Sequence, residues 1–121
     1  MEAVKDLYKI IPIHQRLQVF VEHVKIADSN DVWLLLDITL SKPNMQYLIP
    51  MKNVEQHFIR NHDHAMQKEV TRPVKLIIHN PYRIEIDKIG WVHDKLEYDG
   101  KTMDKMMVFD YRKVSYQLDP I

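Results

Sequence analysis

The sequence predicts an α+β fold, mostly antiparallel β. Some six to eight strands bend into a small barrel, one main helix at about 53–69 covers an opening, and a short helix at about 2–9 precedes them. Three observations carry this expectation. Several segments are rich in β-branched and aromatic residues and are bounded by turn-forming residues, as in RLQVFVEHVKIA (16–27) and DVWLLLDITL (31–40). The stretch YDGK (98–101) contains Asp-Gly, a strong two-residue hairpin signal. Between Pro50 and Pro73, apolar residues recur at helical spacing behind Asn53, a residue suited to capping a helix.

In chain order, the N-terminal residues 2–9 read as a short helix that Pro12 stops. Residues 16–27 read as one long strand. ADSND (27–31) turns the chain into the next strand, whose first half is apolar on both faces. SKPN (41–44) turns it again, and MQYLIP (45–50) is a short third strand. The main helix ends at TRP (71–73), because a residue before proline avoids the helical region. VKLIIH (74–79) and residues 82–87 alternate apolar and polar, joined by the NPYR turn. Gly90 marks a bulge or bend. KMMVFDYRKVSYQL (105–118) slips in apolar phase near Asp110, which predicts a bulge or a bend between two strands there.

The 121 residues are one domain's worth, 1–121, with 45% apolar and 28% charged residues and zero formal charge. That balance argues against coating nucleic acid by bulk charge, although a local basic patch remains compatible with it. No cysteine is present, so disulfide and thiolate chemistry are excluded. The stretch MEAVKDLYKIIPIH lacks the pattern of a signal peptide, and the apolar run VWLLL (32–36) is too short to cross a bilayer. A cytoplasmic protein with no membrane partner is expected.

Enzyme chemistry finds no anchor. Only two glycines occur, so phosphate-cradling loops are absent. None of Ser29, Ser41 and Ser115 sits in a nucleophile elbow. The carboxylates are scattered, with nothing to pair two of them for acid–base work. No catalytic residue, cofactor or metal ligand is assigned.

HFIRNHDHAM (57–66) has three histidines in eight residues. On a helical wheel Val54, Phe58, Ile59, Ala65, Met66 and Val70 form one apolar arc, with His62 inside it as a core residue with a hydrogen-bond partner. His57, Arg60, Asn61, His64 and Lys68 gather on another arc with no acid among them. Two helical histidines grip one metal best at i and i+4, whereas His57 and His64 lie roughly 10 Å apart along the axis. His14, His23, His79 and His93 remain as distant recruits for a metal. An acid-free strip instead suits phosphate, with Arg and Lys as cations and Asn and His as hydrogen-bond partners. A solvated helix face is the plain alternative.

Tyr82–Arg83 and Tyr111–Arg112–Lys113 have the local composition of a base-stacking surface. Trp33, Trp91 and Phe109 are expected in the core. Met103, Met106 and Met107 suit either an adaptable binding surface or a core or dimer seam.

The length, the absence of cysteine, and the element order from RLQVFVEHV through NVEQHFIRNHDHAMQKEV to KMMVFDYRKVSYQL resemble the PrgU-like proteins of Gram-positive conjugative plasmids. That family resembles the PUA fold, a small mixed barrel associated with RNA binding. The resemblance implies a regulatory RNA-binding protein that limits production of conjugation surface proteins, and it transfers no functional residue. The expectation is therefore a non-enzymatic RNA-binding regulator. Its RNA would be held by His57, Arg60, Asn61, His64 and Lys68, with Tyr82 and Arg83 as further candidates. The alternative is a protein–protein interaction module or a homo-oligomeric inhibitor without nucleic-acid binding.

Overall fold

The computed structural model describes residues 8–37, 44–61 and 71–120. Among them are ten strands: β1 (Tyr8–Ile13), β2 (Leu17–Val21), β3 (Val24–Ser29), β4 (Val32–Asp37), β5 (Asn44–Pro50), β6 (Ile59–Asn61), β7 (Thr71–Ile78), β8 (Ile84–Tyr98), β9 (Lys101–Phe109) and β10 (Ser115–Leu118). They form a seven-stranded sheet in the order β1-β4-β5-β9-β8-β7-β6 and a three-stranded sheet in the order β10-β2-β3. Every strand pairing is antiparallel. Both sheets are open, which corrects the expected closed barrel: β1 and β6 end the larger sheet and do not pair with each other.

The main core lies where the small sheet covers one face of the large one. Leu17, Val19, Val21 and Ile26 of the small sheet pack with Val32, Ile49, Leu76, Val92, Met107 and Phe109 of the large sheet. The alternation of β2, with Leu17, Val19 and Val21 buried and Gln18 and Phe20 less so, is the period-2 signature of a half-buried strand. Tyr47 and Tyr116 tie the sheets together through an edge-to-face ring contact at 4.9 Å between centroids. A second cluster is built from Ile10, Leu48, Met106 and Val108, with Trp33, Leu35, Leu96, Tyr98 and Met103 packed against it.

The predicted α-helix is absent from the described part of 53–69. Residues Met51–Asn53 and Gln56–Phe58 are single 3-10 turns, and residues 59–61 are strand β6. Tertiary bonds outcompete the helical alternative. Asn53 does not cap; its Oδ1 accepts a 2.8 Å bond from the buried Ser29 hydroxyl. Val54 bridges to Ala27, and the Glu55 amide donates to the Ile26 carbonyl at 2.8 Å, so this segment covers the β3 edge. Val54, Phe58 and Ile59 still face the core, as their polarity dictates. The rest of the predicted helix, with His62, His64 and Lys68, lies outside the described residues.

Two further readings change. Residues 16–27 are not one strand but the hairpin β2–β3, turned at Glu22 and His23, whose φ angles are 46° and 70°. Of the short N-terminal helix, residues 8 and 9 are already in β1; the preceding ones lie outside the described residues. Pro12 sits in β1, an edge strand among the described residues, where its missing N–H need not interrupt a ladder.

Other expectations hold. Asp99 and Gly100, with φ of 51° and 74°, close the β8–β9 hairpin with both central residues left-handed, as a type I′ turn requires. The β7–β8 register shifts between Val74 and Leu76, beside Gly90, where Lys88 is left-handed. The chain bends at Asp110 from β9 into the small sheet's β10.

Candidate binding cleft

The second cluster is left open at one end. There Trp33 and Pro50 of adjacent strands, Met51, Lys52 and Gln56 of the 3-10 segment, Asp31, and Met103–Met106 of β9 line a cleft of about 500 Å³. The strand register builds its floor. Trp33 pairs with Leu48 and Pro50 pairs with Met106, so these side chains share one face of the large sheet.

The wall from β9 contains a backbone irregularity. Met103 and Met106 are three apart, and in a regular strand they would point to opposite faces. Lys105 lies between them with φ 49°. The β8–β9 register is interrupted there, running to His93↔Met106 and resuming at Lys95↔Asp104. On one side of this level Val92 and Met107 pack into the main core; on the other, Leu96 and Met103 join the second cluster. Met103 and Met106 therefore reach the same cleft.

Four charged side chains line the cleft: Asp31, Lys52, Asp104 and Lys105. Among the described residues none of them makes an ion pair. Gln56 is engaged, donating to the Met51 carbonyl at 3.2 Å. Behind Lys105, the two guanidinium nitrogens of Arg72 grip Asp94 at 2.8 and 2.7 Å. That hydrogen bonding holds the Asp94 carboxyl below the usual carboxylate range. Burial lowers the pKa of His93, whose β8 position pairs with Met106.

Of the residues expected to contact RNA, His57, Arg60 and Asn61 lie together in the Gln56–Phe58 turn and β6, and Tyr82 and Arg83 lie between β7 and β8; none of these five lines the cleft. His57 is exposed, tilted against the Phe58 ring at 4.0 Å between centroids, with the Glu55 carboxylate 3.6 Å from its Nδ1. The Arg60 guanidinium donates to the carbonyls of His57 and Ile59 at 2.8 and 2.9 Å. Asn61 accepts from Arg72 at 3.1 Å. His64 and Lys68 lie outside the described residues. Tyr82 donates to Glu22 at 2.7 Å, a bond that raises the phenol pKa, and Arg83 pairs with Glu85 at 3.0 Å. The acid-free character read from the wheel does not carry over, because the wheel's geometry does not exist over 53–61. Among the described residues no three His, Asp or Glu side chains converge as a metal site.

Sequence reasoning singled out Met103 and Met106 but assigned Trp33 simply to the core. Trp33 packs against the second cluster and also lines the cleft. No local signal distinguishes these roles, since the cleft is assembled from three separated segments. No family model and no curated protein matches the chain.

Proposed function

We propose that this chain is a non-enzymatic protein-interaction module, and that the cleft over Trp33, Met103 and Met106 is where it takes a partner protein. The supporting observation is an open cleft over Trp33, Met103 and Met106 whose four charged residues, Asp31, Lys52, Asp104 and Lys105, form no ion pair with one another, Lys105 acting also on Asp94. Methionine side chains are unbranched and polarizable, and they adapt to varied apolar shapes. A cleft of about 500 Å³ is as large as the pockets that take small ligands, room enough for a side chain with its flanking residues. The RNA-regulator reading has less behind it: Arg60 spends donors on backbone carbonyls, and acids stand beside His57 and Arg83.

Display selection tests the proposal, using random nonapeptides against the full chain with an RNA pool selected in parallel. Peptides that bind wild type and weaken about tenfold or more with Met103→Ala, or with the exposed double reversal Lys52→Glu/Lys105→Glu, support it. Peptide binding indifferent to all these changes overturns it. So does RNA binding with a steep salt slope that survives them, where no peptide is retained.

A further inference from the structure

The cleft's composition points to the chemistry of what enters it, an inference that rests on the interaction-module reading above. We infer that the cleft takes an aromatic side chain, presented by a protein segment that carries both an acidic and a basic residue beside it.

Met51, Met103, Met106 and Trp33 line the same space, Met106 as a buried residue of its floor. A thioether sulfur gains from contact with an aromatic ring beyond the area it buries. An aromatic ring entering beside Trp33 also gains an offset or edge-to-face arrangement. A leucine side chain in the same place would bury apolar area but gain neither. Aromatic anchors seated in desolvated pockets are also the usual centres of protein interfaces.

The rim argues for the flanking residues. Asp31 and Asp104 stand with Lys52 and Lys105, one pair of each sign around a single opening. A polyanion such as RNA meets both aspartates, and a polycation meets both lysines. A segment with one charge of each sign is complementary to both pairs, and such complementarity sets specificity and encounter rate more than affinity. Along this wall Lys105 is exposed, whereas Met103 is half-buried and Met106 buried.

The test uses the peptide of highest affinity from the display selection. It is resynthesised with a fluorescein label and with Phe, Leu or Lys at the anchoring position, and anisotropy is read on the full-length protein. Phe is expected to bind about tenfold more tightly than Leu. The preference should shrink to below about threefold in Met103→Leu/Met106→Leu, which keeps apolar volume and removes sulfur. Lys105→Glu should weaken the peptide and flatten its salt dependence. Cleft-dependent binding with Phe and Leu equal, or with Lys preferred, overturns the aromatic inference and leaves the interaction module standing. Binding that ignores every cleft substitution overturns both.

Discussion

Met103 and Met106 line one cleft although they lie three residues apart in a single strand, and Lys105 between them is left-handed at φ 49°. A residue with a Cβ resists that conformation, at a cost of about 1–2 kcal/mol. Lys105→Gly should therefore hold or raise stability and preserve the cleft. Lys105→Val, β-branched at positive φ, should cost about 1–2 kcal/mol and weaken cleft ligands. Urea unfolding of both variants reads the difference; equal stabilities would contradict the left-handed assignment.

Gly90 is present for space. A Cβ there would collide with the Val108 carbonyl and stand 2.7 Å from Met107 Cε and 2.9 Å from Phe109 Cα. Two of these obstacles are backbone of the paired strand β9, which cannot step aside cheaply. Gly90→Ala should lower unfolding free energy by about 1–3 kcal/mol or more, as overpacking does. Gly100→Ala meets no neighbour and should lose only the smaller cost of its left-handed φ of 74°. Thermal melts should rank Gly90→Ala as the worse of the two.

The β2–β3 turn holds Glu22 and His23 at positive φ with no glycine or asparagine present. His23→Gly should relieve up to about 1 kcal/mol of backbone strain at φ 70°. His23→Val should do the reverse. A chemical-denaturation midpoint that fails to rise with glycine, at unchanged slope, would count against the two-residue turn.

Asp28 accepts from the Arg16 guanidinium at 2.8 and 2.6 Å and from Lys25 at 3.0 Å. The Arg16 hydrogen bonding, with Lys25 assisting, pushes the Asp28 carboxyl from 3.8 down to about 2. Because the folded pKa is depressed, the stabilisation is present above the unfolded value. It is lost as pH falls from about 4 through about 2. Asp28→Asn should be less stable than wild type at pH 7, with the gap closing toward pH 2. A gap independent of pH would assign the effect to packing instead of charge.

Local chemistry written in the chain determined much of the sheet. The Asp99-Gly100 hairpin, the strand at residues 45–50, the bend at Asp110 and the irregularity beside Gly90 each follow from a short-range cause, namely backbone freedom or β-propensity. Val54, Phe58 and Ile59 were also legible as core residues, because apolarity drives burial whatever the backbone does. Partner choice decided the rest. Asn53 caps a helix only if its Oδ1 has no better donor to accept from, and the Ser29 hydroxyl, 24 residues away, is the better donor. The Val21–Val24 turn has no residue that announces it, so its position is set by Leu17, Val19, Val21 and Ile26 seeking the same core. β10 joins the small sheet beside β2 instead of following β9 in the large one, a pairing that no local signal announces. The cleft, too, exists only after β4, β5 and β9 come side by side, since short-range rules govern turns and periodicity while long-range pairing chooses between locally similar alternatives.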